Sequence, residues 1–475
     1  MADRQITINP ISRVEGHGKV TIHLDEKGKV EDARFHVVQF RGFEAFCRGR
    51  PYEEMPIITQ RICGICPVSH QLASAKACDA VMGVRIPTTA AMLRELLHMG
   101  QYIQSHALHF FYLASPDILL GWDSDPAERN VVGVIGKFPQ LATKGIRLRK
   151  FGQEIIKALG GKKVHPAFAV PGGVTNPLGL ADRERLLSGF EEANATCRAA
   201  LDLFRGWVEK NEEEVRLFAN FKSNYAGMVD ENGQLTLYDG KIRITDSTHK
   251  ILAEFDPADY LTHMGEHVEP WSYMKFPFYK PQGYPGGLYR VGPLGRIHVA
   301  DGLATPKASL ELEQFWKIAH NGLEGGSLLF HYARLIELQY ALERAEALLG
   351  DDRICDTNIK ITVEPANREG VGIVEAPRGI LIHHYWVDEN GAMEKANLIV
   401  ATGHNNLAMN QSVLLVAREY IKNGQVREGF LNRVEGAIRC YDPCLSCATH
   451  AMGQMPLIIR VYDAAGTVLH ELCRD

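Results

Sequence analysis

Four of the ten cysteines form two Cys-x-x-Cys pairs, Cys63/Cys66 and Cys444/Cys447, one near each end of the 475-residue chain. Thiolates are soft ligands, so four sulfurs brought to one point select zinc, an iron-sulfur cluster, Cu(I) or a thiophilic metal such as nickel. A zinc ribbon sets its pairs roughly 15 to 20 residues apart, whereas the first cysteines of these pairs stand 381 positions apart. That spacing argues against a local zinc clip. It leaves open a structural cross-link between the chain ends, or two unrelated pairs. The neighbours favour a chemical site: His70 and His450 follow the pairs at short offsets, Arg61 precedes one, and Asp442-Pro443 leads into the other. Sulfurs bordered by His, Arg and Asp have the partners that orient ligands and tune a metal.

The remaining cysteines (Cys47, Cys78, Cys197, Cys355, Cys440, Cys473) are scattered, and with no secretory signal they read as reduced thiols. With 45% hydrophobic and 23% charged residues, the composition is that of a water-soluble globular protein. A formal charge of -5 leaves no basic excess to neutralise phosphates, which excludes nucleic acid as an expected partner. No uncharged apolar run reaches the roughly 18 to 20 residues of a membrane span, and MADRQITINP has no signal-peptide core. The expected location is cytoplasmic, although one protein can be exported on its partner's signal.

The elements that must position the cysteines follow from hydrophobic period. Val20, Ile22, Leu24 and then Phe35, Val37 alternate around Asp25-Glu26-Lys27-Gly28, a hairpin. The first cysteine pair lies between short helical segments. Apolar residues at three- and four-residue steps predict one long helix from Pro87 to about Leu120, and others over about 138–159, 181–221, 306–320 and 327–349, packed as a central bundle. Alternation around Asp239-Gly240 predicts a hairpin, and the aromatic stretch from Trp271 to Pro293 predicts irregular structure. Beyond residue 360 a strand, hairpin and strand region precedes helices at about 405–422 and 426–440. The fold class is α+β and predominantly helical: a long-helix bundle flanked by small antiparallel β regions from the N- and C-terminal parts.

Arg61-Ile62-Cys63-Gly64-Ile65-Cys66-Pro67-Val68-Ser69-His70 and Asp442-Pro443-Cys444-Leu445-Ser446-Cys447-Ala448-Thr449-His450 resemble the two signature motifs of [NiFe]-hydrogenase large subunits. Arg13-Val14-Glu15-Gly16-His17, Arg41-Gly42-Phe43-Glu44 and Ala376-Pro377-Arg378-Gly379 match further family elements in the family's order. The resemblance spans the whole chain. Through softer text such as Trp271-Ser272-Tyr273-Met274-Lys275-Phe276-Pro277 it is most similar to the cytoplasmic, NAD-reducing (bidirectional) type.

The resemblance implies that residues 1–450 form a single large-subunit domain. Residues 1–86 would carry the hairpin and first motif, 87–350 the helical core, and 351–450 the C-terminal β region and second motif. It implies nickel on all four thiolates, Cys63 and Cys444 terminally, with Cys66 and Cys447 bridging to an iron that carries CO and cyanide. Such a centre would split H2 heterolytically. For scale, zinc lowers the pKa of bound water from about 15.7 to about 7, an effect of about 12 kcal/mol.

Further roles follow from the same likeness. Glu15 would relay the proton from Cys444, and Arg378 would overhang the metals near Asp442 and Asp117 and donate to a cyanide. Thr402 would donate to the other cyanide, and His70 to a bridging sulfur. Glu44 and His450 would hold a magnesium-like ion. Read from the residues alone, the same positions are a solvated glutamate, a turn arginine, a strand threonine and a core histidine. His106, His109, His383 and His384 read as packing.

Twenty-five residues follow His450 in a strand-turn-strand pattern with Leu457, Ile459 and Val461 alternating. The resemblance implies that a maturation protease removes 451–475 after nickel-insertion factors have acted. Implied partners are diaphorase subunits together with an iron-sulfur small subunit. Iron-sulfur clusters, flavin and NAD would sit only in those partners, because this chain has no further cluster-like cysteine spacing and no Gly-x-Gly-x-x-Gly fingerprint. The small partner is expected along the helical core and the Trp271–Pro293 stretch. The rival function is a non-catalytic subunit of a respiratory-type complex with a structural four-cysteine site; such relatives have lost the cysteines that this chain keeps.

Overall fold

The computed structural model describes residues 4–449, 457–462 and 467–474. Arg4–Ile8, Gly18–Leu24 and Val30–Val37 form a three-stranded antiparallel sheet in which Val20 faces Phe35 and Ile6 faces Ile22. The predicted turn closes it: Asp25 Oδ1 accepts the Lys27 and Lys29 N–H groups at 2.9 and 2.7 Å, and Gly28 takes a φ of 76°. One face of this sheet buries Val20, Ile22, Phe35 and Val37, as the alternation requires.

The first cysteine pair sits between a 3-10 turn, Gln60–Ile62, and the helix Pro67–Met82, whose first residue is proline. The bundle consists chiefly of Thr88–Leu108, Pro139–Gly160, Phe190–Lys210 and Leu329–Gly350. The first two approach closely at glycine: a Cβ on Gly152 would stand 2.6 Å from the Gln104 backbone nitrogen.

The predicted continuous helix from 87 to 120 is interrupted. A π turn over His109–Ala114 separates Thr88–Leu108 from Ser115–Leu120. Two local causes are visible: Pro116 has no N–H to give, and the Leu113 carbonyl is diverted to Arg13 Nη1 at 2.8 Å. Likewise the 181–221 segment divides into Leu180–Leu187, Phe190–Lys210 and Glu212–Leu217.

The Asp239-Gly240 hairpin does not form as predicted. Lys241–Thr245 pairs instead with Asn224–Val229 and Ile251–Phe255, in a four-stranded sheet whose remaining strand, Tyr289–Arg290, runs parallel to Asn224–Val229. Leu235, Leu237 and Tyr238 are all buried, which draws that segment off the sheet into the core. The Trp271–Pro293 stretch also holds more order than predicted, since Phe276–Tyr279 pairs with Met264–His267. Met274, Phe276, Tyr289 and Val291 are buried, so much of this stretch packs inward.

In the C-terminal part, Glu369–Ala376, Gly379–Val387 and Met393–Ile399 form an antiparallel sheet. Ala376 pairs with Gly379, so Pro377 and Arg378 are the two residues of a tight hairpin loop. Helices Asn406–Tyr420 and Glu428–Arg439 then lead into the second motif. Leu457–Tyr462 and Val468–Arg474 pair antiparallel, as the two expected strands, and residues 463–466 of the expected turn between them lie outside the described residues. No helix among the described residues is long and apolar enough to cross a membrane.

Candidate metal centre

All four cysteines converge. Cys63 Sγ lies 3.4 Å from Cys444 Sγ, Cys66 Sγ lies 3.6 Å from Cys447 Sγ, and the four sulfurs fall within 4.8 Å of one another. All are buried.

The chain ends are clasped to make this happen. The Leu445 N–H donates to the Glu15 carbonyl at 3.1 Å, so residue 15 runs as a short parallel bridge beside Cys444. Gly16 has a φ of 86°, and a Cβ there would lie 2.8 Å from that of Leu445; only glycine fits. Asp442, at a φ of 53°, turns the chain, a conformation aspartate tolerates better than most residues. Arg378 secures that turn through Nε to the Asp442 carbonyl at 2.5 Å and Nη2 to its Oδ2 at 3.0 Å. Thr402, on the helical turn Ala401–His404 rather than a strand, accepts the Cys444 N–H at 2.9 Å.

Electrostatics set one of the sulfurs, Cys63, apart from ordinary core thiols. Burial raises Cys444 and Cys447 well above the usual range. At Cys63 burial also opposes charge, but donation from Cys444, Cys447 and Cys66 holds it well below that range. The Ile65 and Cys66 N–H groups add to this, each 3.2 Å from Cys63 Sγ. Arg378 stays charged despite its burial because Asp442 and the sulfurs surround it. Burial raises Asp442, against the pull of Arg378 and Arg334. Four buried sulfurs beside a fixed cation fit a soft transition metal, which would neutralise the thiolates that burial disfavours. Nickel fits this set.

The other expected residues divide. Glu15 Oε2 accepts from Cys444 Sγ at 3.0 Å, so that pair is brought together. Asp117 does not join Arg378. Its carboxylate is taken by Arg13 at 2.5 and 3.0 Å, Arg439 at 3.0 Å and Asn432 at 3.0 Å. Burial opposes the charge of Asp117, yet Arg439 and Arg13 hold its carboxyl below the usual range.

His70 is buried, its Nδ1 3.2 Å from His383 Nε2, and His383 Nδ1 lies 2.7 Å from the Tyr385 hydroxyl. Burial lowers His70 to about 4. Glu44 accepts the Leu398 N–H at 2.8 Å, and burial raises its carboxyl. His450 lies outside the described residues.

Sequence reasoning missed Ser446, whose N–H donates to Glu15 Oε2 at 3.1 Å and whose hydroxyl donates to Oε1. It also missed the Arg13–Asp117–Arg439 cluster, and Arg41, whose Nη1 donates to the Ile62 carbonyl at 2.5 Å and reaches the Ser446 carbonyl at 3.4 Å. Arg13, Arg41 and Ser446 all lie inside the family motifs; that position was the one available signal.

Fold and site together define a thiolate metalloprotein whose ligands come from both chain ends. Comparison with known proteins narrows this. Residues 41–123 and 191–450 match the Nickel-dependent hydrogenase family, and residues 5–40 match a HoxL-like family. The NAD-reducing hydrogenase HoxS subunit beta of Cupriavidus necator is 45% identical over 486 residues, covering 99% of this chain and 100% of that protein. One of the subunits of the vhc F420-non-reducing hydrogenase of Methanococcus voltae is 45% identical, covering 97% and 98% respectively. A crystal structure of an NAD+-reducing [NiFe]-hydrogenase in the H2-reduced state superposes with a TM-score of 0.92 at 46% identity, covering 95% of this chain and 100% of the other. The chain belongs to the nickel-dependent hydrogenase family and has the [NiFe]-hydrogenase large-subunit fold.

Proposed function

We propose that this chain is the H2-activating catalytic subunit of a cytoplasmic [NiFe]-hydrogenase. It cleaves H2 reversibly to protons and electrons, and the electrons pass to iron-sulfur clusters of a small partner subunit, then through diaphorase subunits to NAD. The observation that carries this reading is the convergence of four buried sulfurs within 4.8 Å, with a carboxylate hydrogen-bonded to one of them.

Cys63, Cys66, Cys444 and Cys447 would together hold the nickel-iron centre. When bound, this pair supplies an electron-rich centre that polarises H2 for heterolytic cleavage. The chain's own residues then manage the proton. The Cys444 thiol hands it to Glu15 Oε2 across 3.0 Å, because the sulfur is buried and Glu15, half-buried, is the carboxylate bonded to it. Arg378, locked by Asp442, keeps the site polar and ordered and would offer its remaining N–H groups to the centre's anionic ligands. Thr402 accepts the Cys444 N–H, which leaves its hydroxyl hydrogen free to donate toward the centre. Asp117 acts through Arg13, fixing the loop that carries Glu15, and His70 tunes a bridging sulfur.

Residues 1–450 would act as the mature domain, with 451–475 removed between His450 and Ala451 and a magnesium-like ion held by Glu44 and His450. Elemental analysis with infrared spectroscopy of the purified complex tests the reading. Nickel and iron at about one each in this subunit, apart from the iron of the partner's clusters, with CO and cyanide bands, is the expected outcome; zinc alone would overturn it.

A further inference from the structure

We infer that Ser446 is the positioning residue that keeps Glu15 on Cys444, an inference that rests on the hydrogenase reading above. Three donors meet the Glu15 carboxylate. Oε2 is shared by Cys444 Sγ at 3.0 Å and the Ser446 N–H at 3.1 Å, while Oε1 is met by the Ser446 hydroxyl. The backbone contact fixes one oxygen only. The hydroxyl fixes the second and so sets the plane of the carboxylate, because two donors on two oxygens stop rotation about the terminal bond. Among the described residues no other donor reaches Oε1.

Both partners are placed independently of that hydroxyl. The Glu15 loop is anchored by the Leu445 N–H on the Glu15 carbonyl and by Arg13 on Asp117 and Leu113. Arg41 reaches the Ser446 carbonyl, and the Cys447 N–H donates to the Cys444 carbonyl at 3.2 Å. Removing the Ser446 oxygen therefore leaves loop and sulfurs where they are. It frees only the Glu15 side chain, whose several rotamers then compete with the pose that accepts a proton.

The test uses the assembled holoenzyme with Ser446→Ala, Ser446→Thr and, for comparison, Glu15→Gln. In Ser446→Ala the CO and cyanide bands and the para/ortho-H2 conversion rate, which report the metal site without proton escape, should match the parent. D2/water exchange should fall roughly ten- to hundredfold, as expected for one lost hydrogen bond to a charged group. The infrared carboxyl band of Glu15, identified by its absence in Glu15→Gln, should shift. Ser446→Thr, which keeps the hydroxyl, should restore exchange to within about threefold. Exchange at the parent rate in Ser446→Ala would overturn the inference. So would a parallel loss of conversion and exchange, since that marks damage to the metal site. A parent lacking the CO and cyanide bands would instead sink the hydrogenase reading, and the role of Ser446 with it.

Discussion

Glu15 is where charge, geometry and chemistry meet at the residue scale. A carboxylate 3.0 Å from the Cys444 sulfur can take a proton that an amide cannot. In Glu15→Gln the nickel content and infrared bands should persist while D2/water exchange falls roughly 10²- to 10⁴-fold, the range of a lost acid-base group. Exchange surviving in that variant would place the proton exit elsewhere. Much of this residue scale was legible beforehand. The cysteine pairs announce themselves by spacing and by the softness of sulfur, and Arg378 by a proline and glycine that fix a loop. Asp117 bonds Arg13 and Arg439, partners that no hydrophobic period encodes, because they arrive from the two distant ends of the chain. Ser446 was invisible because a serine between two cysteines has no periodicity and acquires a partner only when residue 15 folds across it.

At the scale of elements, the bundle is held by close helix approach and by a buried ion network. Gly152→Ala would press a Cβ to 2.6 Å from the Gln104 nitrogen. Overpacking of that kind should cost about 1–3 kcal/mol, read as a lower denaturation midpoint. Arg296 bonds Glu337 at 2.5 and 2.7 Å and Glu375 at 2.6 Å, with all three side chains fully buried. Arg296→Met would strand two carboxylates in the core and should destabilise by about 3–5 kcal/mol in equilibrium unfolding. An unchanged midpoint would show that the network contributes nothing net.

The same network gives a pH signature. Burial lifts Glu375 to about 7, even against the pull of Arg296. Its folded value thus exceeds the ordinary carboxyl value of about 4.3, so the native state binds more protons than the unfolded chain between the two. Stability from this group is therefore present at the acid end and is lost as pH rises through that window. Glu375→Gln, which cannot titrate, should flatten the slope of melting temperature from about pH 4.5 to 7. An identical slope would remove Glu375 as its source. The strands at either end could be read from alternation, because one face of each sheet is buried. The segment 234–238 could not, since all three of its large apolar residues turn inward and no pattern of period two says where they pair.

For the whole molecule, the organising fact is that stretches distant in the chain are bonded directly to one another. Glu15 bonds Leu445, Arg13 bonds Asp117, and Arg378 bonds Asp442. With 451–475 removed on maturation, the mass of the chain in active complex should be that of residues 1–450, and retention of 451–475 in active protein would refute the processing step. The convergence itself is tested most directly by X-ray absorption at the nickel edge of the purified complex. Four sulfur scatterers around nickel in the parent, falling by one in Cys444→Ser, is the result expected from the four sulfurs that meet here. Nickel bound mainly by nitrogen or oxygen, or a sulfur count untouched by that substitution, would contradict it.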